Sequence, residues 1–208
     1  MKVAVLRSVY GGYDNPIPLP PQTLEFEEIL VSEHNAPRQH MHPRLAAKHA
    51  KCLPWDYTDA DMIVWLDGSF KVVRPDWLEF MRDQSEGHLI SQYIHPCRDD
   101  ILIEADVSAT MLKYQTQAVH AQANHYLSLG HPRHWGMWST GIAAYRMYEP
   151  ERLNSFGQHW LAEQVRWTYQ DQISQPHILR IHGLRPHAIE GSLYDTPYLS
   201  MYGHASEE

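Results

Sequence analysis

The stretch from Asp61 to Phe70, Asp-Met-Ile-Val-Trp-Leu-Asp-Gly-Ser-Phe, constrains the fold of this chain more than any other, because an unbroken apolar run stops abruptly at a carboxylate and a glycine. Met62 to Leu66 reads as a strand. Consecutive apolar residues that include β-branched Ile63 and Val64 and aromatic Trp65 suit a strand covered on both faces, as in a mainly parallel sheet. Asp67 then falls at the carboxyl end of that strand, the edge where open α/β sheets bind ligands, and Gly68 permits a sharp turn or a close approach to a ligand. Two readings of Asp67 stand side by side: a metal ligand, or a turn residue that caps its own backbone, as Asp-Gly pairs do.

The rest of the chain alternates. Lys2–Val9 reads as a first strand, broken by Tyr10-Gly11-Gly12-Tyr13-Asp14. A strand ending in a glycine pair between tyrosines can offer backbone amides and an aromatic face to a nucleotide, or can be a plain turn. It is not the GxGxxG fingerprint of nicotinamide enzymes. Residues 15–22 hold four prolines and form a loop. Phe26–Val31 reads as a second strand, and a helix opens at His42-Pro43, with Pro43 in the first turn. On it Arg44, Lys48 and Lys51 share one face, either a diphosphate-binding stripe or a solvated surface.

Further on, Arg74–Asp83 is expected to be helical, His88–Tyr93 a strand, and Arg98–Met111 a helix on which Arg98, Asp99, Asp100 and Glu104 offer polar groups to a cleft. Leu112–Leu129 is expected as one longer helix stopped by Gly130, with Leu112, Val119 and Tyr126 repeating at seven. A strand within Trp135–Met147 is entered through Gly141, and Glu151–Tyr169 is a helix. Asp171 is a catalytic or substrate-binding carboxylate or a helix cap, and His182 a further metal ligand or a loop histidine. The expected architecture is a single α/β domain over residues 1–208, with a core of about 1–185 and an irregular tail of about 186–208 that packs over something or moves.

Composition removes several function classes. A formal charge of −8 disfavours broad electrostatic binding to nucleic acid. No apolar run approaches the roughly 20 residues of a membrane span, and no signal peptide is evident, so no membrane partner and a cytoplasmic location are expected. Cys52 and Cys97 lack a CxxC spacing and read as reduced core thiols. The 15 histidines are scattered and form no HExxH pattern.

Taken together, Ser8-Val9-Tyr10-Gly11-Gly12-Tyr13-Asp14, His42-Pro43-Arg44 with Lys48, Trp65-Leu66-Asp67-Gly68-Ser69, His95-Pro96 with Arg98 and Glu104, and Asp171-Gln172 resemble a GT-A-fold glycosyltransferase-like family. Its members occur in plants, bacteria and phages, and it is distantly similar to family 8 glycosyltransferases. The resemblance implies a nucleotide-diphospho-sugar transferase fold, with a mainly parallel central sheet flanked by helices. It puts Asp67-Gly68-Ser69 at the place of the metal-binding Asp-x-Asp motif, Ser69 replacing the second carboxylate. It implies a divalent cation, Mn²⁺ or Mg²⁺, on Asp67 and His182, and a nucleotide-sugar donor, UDP-sugar first, against Tyr10, Gly11, Tyr13, Arg44, Lys48, Asp67, Ser69, His95 and Arg98. Asp171, Gln172 and Glu104 would serve the sugar and the acceptor hydroxyl, which can belong to a protein, a glycan or a hydroxymethylated base in phage DNA. The rival functions are a metal-dependent hydrolase or nucleotidyltransferase on a similar sheet, and a non-catalytic nucleotide-sugar-binding protein.

Overall fold

The computed structural model describes residues 1–38 and 40–201. At its centre lie β1 (Val3–Val9) and β3 (Met62–Leu66), paired in parallel with Val3 opposite Met62 and Leu6 opposite Trp65. Every residue of β3 is buried, as its unbroken apolar run predicts. β2 (Glu27–Ser32) flanks β1 in parallel. On the other side of β3 come β6 (Ile142–Arg146), β5 (Ile90–Tyr93) and β7 (His187–Ile189), completing a six-stranded sheet of order β2-β1-β3-β6-β5-β7. β6 runs antiparallel to both neighbours, and the other strands share one direction.

Because successive strand residues point to opposite faces, the same strands build two cores. Ala4, Leu6, Ile63, Trp65 and Tyr145 face a layer formed by α1 (Pro43–Cys52), α5 (Pro150–Arg166) and α6 (Asp171–Ile181). Val3, Val5, Met62, Val64 and Leu66 face α2 (Trp77–Ser85) together with a small antiparallel sheet of β4 (Phe70–Val72) and β8 (Leu199–Met201). Each fully buried aliphatic side chain contributes about 1.5–3 kcal/mol, so this two-sided burial is what holds the sheet in place. A third cluster joins α3 (Ile101–Thr110) and α4 (Val119–Ser128) to Ile173 of α6. No helix among the described residues is long and apolar enough to cross a membrane.

Several expectations are corrected. The helix expected over Leu112–Leu129 is split into a 3-10 turn at Leu112–Tyr114 and α4, which begins at Val119. Tyr114 is buried and donates its hydroxyl to Gln170 Oε1 at 3.3 Å, which pins the turn, while Leu112 is 84% exposed. The helix expected from Arg98 starts at Ile101, because the Asp100 carboxylate caps it by accepting from the amides of Leu102 and Ile103 at 2.8 and 3.3 Å. Cys97 is exposed and only Cys52 is a core thiol. The tail is not irregular throughout: His187–Ile189 extends the main sheet and Leu199–Met201 pairs with β4, while residues 202–208 lie outside the described part.

Candidate functional site

The sheet's directions bring chemistry to one edge. β1, β3 and β5 end there and antiparallel β6 begins there, so Tyr10, Asp67, His95 and Thr140 arrive side by side from four strands. Above this edge lies a cleft of about 340 Å³, within the range of small-molecule sites. The turn after β3 is fixed from beneath. Buried Arg7 donates to the carbonyl of Phe70 at 3.0 Å, and the Asp67 amide donates to the carbonyl of Gly141 at 2.8 Å. Gly68 is required by packing: a Cβ there would lie 2.6 Å from Asp14 Oδ2.

Two lysines of α1 and two aspartates form the cleft floor. Pro43 starts α1 and His42 Nδ1 caps it, accepting from the Arg44 amide at 3.3 Å. The i, i+3 spacing then aims Lys48 and Lys51 at the same point. Lys48 Nζ lies 2.6 Å and Lys51 Nζ 2.7 Å from Asp171 Oδ2. Lys51 also sits 3.1 and 3.3 Å from the two oxygens of Asp67. Asp171 Oδ1 accepts from the Thr140 hydroxyl at 3.1 Å, and Asp67 Oδ1 from the Trp65 indole at 2.7 Å. Asp171 stands in the first turn of α6, where the helix dipole favours a carboxylate. Burial alone would raise its pKa, but the ammonium groups of Lys48 and Lys51 outweigh burial and hold it well below the ordinary carboxylate range. Conversely, the Lys48 pKa is raised, because burial is outweighed by Asp171 and Asp67.

The Arg44 guanidinium carbon lies over the Tyr13 ring, 3.9 Å from its centroid, and 5.4 Å from that of Tyr169, so a cation and two aromatic rings make one wall. His95, Arg98 and Glu104 also line the cleft, joined in one network. Arg98 pairs with Glu104, whose oxygens also accept from Ser108 at 3.2 Å and Gln170 at 2.8 Å. Glu104 is wholly buried, and burial, ahead of the opposing effect of Arg98, raises its pKa. His95 accepts the Arg98 amide at 3.0 Å through Nδ1, and burial, then Arg98, lowers its pKa to about 4. It is therefore neutral at pH 7.

The cleft thus gathers Tyr10, Tyr13, Arg44, Lys48, Asp67, Ser69, His95, Arg98, Glu104, Asp171 and Gln172 of the residues the sequence singled out. Gly11 stands outside it, facing a separate hollow beside Arg38, with its amide donating to Glu33 Oε1 at 3.3 Å. Tyr10 is 5% exposed and spends its hydroxyl on the carbonyl of Ala36 at 2.6 Å, so it shapes the cleft without a free polar group. His182 is also outside. It caps the far end of α6, roughly 15 Å along the helix from Asp171, and its Nε2 lies 3.2 Å from His159 Nδ1. Asp67 and His182 therefore do not form a pair. Sequence reasoning left Lys51 as one member of a basic stripe, quoted Ser8 and Trp65 in its motifs without a role, and did not single out Thr140 or Ser139 as site residues. The hydroxyls of Ser8 and Ser139 are buried at the cleft with no hydrogen-bond partner among the described residues. The tail packs over the rim through Leu193, Tyr194 and Met201.

The donor set does not fit a resident divalent cation. Mg²⁺ and Mn²⁺ need several oxygen ligands, yet the oxygens of Asp67 and Asp171 already face the ammonium groups of Lys48 and Lys51. Among the described residues no group of three His, Cys, Asp or Glu is placed to hold a metal ion.

No protein-family model and no curated protein sequence matches this chain. Among solved structures it is similar to the apo form of the bifunctional glycosyltransferase WbbM, with a TM-score of 0.51 and 12% identity over 88% of this chain. The chain spans 37% of the length of that protein. Mouse xyloside xylosyltransferase 1 in its apo form follows at a TM-score of 0.43 and 8% identity, covering 88% of this chain and 82% of that one. The galactosyltransferase LgtC in complex with donor and acceptor sugar analogues aligns at 0.40 and 15%, covering 85% and 69%. What the match to WbbM establishes is the architecture: a single α/β domain of GT-A type, whose mostly parallel central sheet is flanked by helices.

Proposed function

We propose that this cleft binds the diphosphate of a nucleotide sugar and that the protein transfers the sugar to a hydroxyl acceptor. The observation that carries the reading is the convergence of Lys48, Lys51 and Arg44 on a cleft at the strand edge where α/β sheets bind ligands. Three cations on an otherwise acidic chain suit a diphosphate. Tyr13 and Tyr169 offer aromatic faces to the nucleoside, and the unpartnered hydroxyls of Ser8 and Ser139 supply donors that a ligand would satisfy.

In the transfer, the bond from sugar C1 to the β-phosphate oxygen breaks and its electron pair stays on that oxygen. The acceptor oxygen forms the new bond to C1, and its proton leaves to a cleft carboxylate or to the departing phosphate. Charge that grows on the phosphate is stabilised by cations already in place, which need no reorganisation as the bond breaks. Asp171 positions both ammonium groups, and Gln172 faces the same space. Glu104 keeps the wall in shape through its pairing with Arg98. The fold is compatible with other chemistries, so the site and not the likeness carries the proposal.

Thermal denaturation with UDP-, GDP- and dTDP-sugars tests it. A ligand at one hundred times its Kd stabilises by about 2.7 kcal/mol, a rise of roughly 5–10 °C for a domain of this size. One donor class is expected to give that rise. No shift with any of them at millimolar concentration, with or without Mn²⁺, refutes the reading.

A further inference from the structure

The place where a divalent cation would bridge a diphosphate to the protein is taken by two side chains of the chain itself. Lys51 is 2% exposed and its ammonium lies between Asp67 and Asp171, at 3.1 and 2.7 Å. Lys48 meets the same Asp171 oxygen at 2.6 Å. Ser69 stands two residues after Asp67 and brings a neutral hydroxyl instead of a second carboxylate. A dication entering between the aspartates would be held within hydrogen-bonding reach of two ammonium groups, which repel it. The aspartates themselves are acceptors that keep two buried lysines charged and aimed at the cleft.

We propose that this site recognises the nucleoside diphosphate without a metal ion, Lys48 and Lys51 acting as the fixed cation against the two phosphates, with Asp67 and Asp171 as positioning residues for the lysines. The proposal rests on the nucleotide-sugar reading of the cleft and names the cation in it. It has a consequence opposite in sign to metal coordination. Where Asp67 ligates a metal, its loss abolishes diphosphate binding. Where Asp67 only balances Lys51, replacing it with a neutral isostere frees positive charge for the phosphates, and binding holds or tightens.

The experiment is isothermal titration calorimetry of the full chain with UDP, GDP and dTDP, in EDTA and separately in Mn²⁺, for the wild type, Lys48→Met, Lys51→Met and Asp67→Asn. In EDTA one of the diphosphates is expected to bind the wild type with a Kd within about threefold of that in Mn²⁺. Each lysine variant is expected to weaken binding about tenfold or more, since charge-assisted hydrogen bonds are lost. Asp67→Asn is expected to bind at least as tightly as the wild type. Lys48 is the more exposed of the pair, so Lys48→Met keeps the test decisive if Lys51→Met does not fold. Binding that appears only with Mn²⁺, loss of binding in Asp67→Asn, or unchanged affinity in the folded lysine variants overturns the proposal while leaving the donor site standing. No binding of any diphosphate in either condition overturns both.

Discussion

Gly157, in the middle of α5, offers a sharp test of how the cleft floor is held. A glycine inside a helix costs about 1 kcal/mol relative to alanine, so helix propensity alone predicts that Gly157→Ala stabilises the protein by that amount. The packing predicts the opposite. A Cβ at Gly157 would lie 2.1 Å from the carbonyl oxygen of Cys52, 2.7 Å from Trp55 Cζ2 and 3.0 Å from Leu53 Cδ2. The nearest of these is backbone and cannot rotate away. Normal carbon-to-oxygen contacts begin near 3.3 Å, so α5 and the end of α1 would have to part by about 1 Å. Overpacking of a dense core costs about 1–3 kcal/mol, and a backbone clash belongs at the upper end. Subtracting the propensity gain leaves a net loss of about 2 kcal/mol, or a melting temperature lower by roughly 4–8 °C. Cys52 directly follows Lys51, so the same displacement moves an ammonium group out of its contacts with Asp67 and Asp171, and nucleoside diphosphate affinity is expected to fall as well. Thermal denaturation measured by circular dichroism decides the first part. A variant that melts at or above the wild type would show that propensity wins and that the tight approach of α5 to α1 does not hold the cleft floor.

Asp171→Asn leaves Lys48 facing a neutral amide and Lys51 with Asp67 as its remaining carboxylate, and breaking a buried pair in this way costs about 3–5 kcal/mol. Urea unfolding at pH 7 measures the loss, and a midpoint equal to the wild type refutes the coupling. Because the folded pKa of Asp171 lies below its unfolded value, this contribution is full above about pH 4 and is lost as pH falls through the folded value. Asp100 follows the same rule at the head of α3: burial opposes ionisation, but Arg133 and the amides of His134, Leu102 and Ile103 hold its pKa down to about 2. Asp100→Ala is expected to cost about 1 kcal/mol for the lost cap at pH 7, and the gap between variant and wild type should close between about pH 4 and pH 2. A melting-temperature difference that stays constant over that window counts against the assignment. His182→Ala is expected to leave nucleoside diphosphate affinity unchanged in calorimetry, since His182 caps the end of α6 remote from the cleft, and a tenfold weakening would return it to the site.

The sequence by itself determined the elements and most of the cleft's membership. An apolar run closed by Asp-Gly can hardly be other than a buried strand that delivers Asp67 to the sheet edge, and β3 is found over Met62–Leu66 as read. Pro43 marked the start of α1, and the spacing of Arg44, Lys48 and Lys51 put all three on one face, because helical periodicity is a local property. What local periodicity cannot carry is the partner of each group. Whether that basic face meets water or carboxylate depends on Asp171, more than a hundred residues away in α6, and only packing of α1, α5 and α6 on one side of the sheet brings them within 2.6 Å. The direction of β6, which admits Thr140 to the cleft, is likewise a matter of sheet topology.

His182 shows the limit from the other side. In the sequence it stands only eleven positions after Asp171, close enough to suggest a shared site, but those positions are wound into α6 and set its two ends apart. Glu104 shows the same limit for chemistry: its residue type suits catalysis, yet tertiary contacts with Arg98, Ser108 and Gln170 bury it as a prop of the cleft wall. Local sequence selects helix, strand and turn through backbone sterics and side-chain periodicity. The charge state, exposure and partners of a side chain arise from contacts distant in sequence, so the tertiary structure alone decided that Lys48 and Lys51 meet Asp67 and Asp171 at the cleft floor.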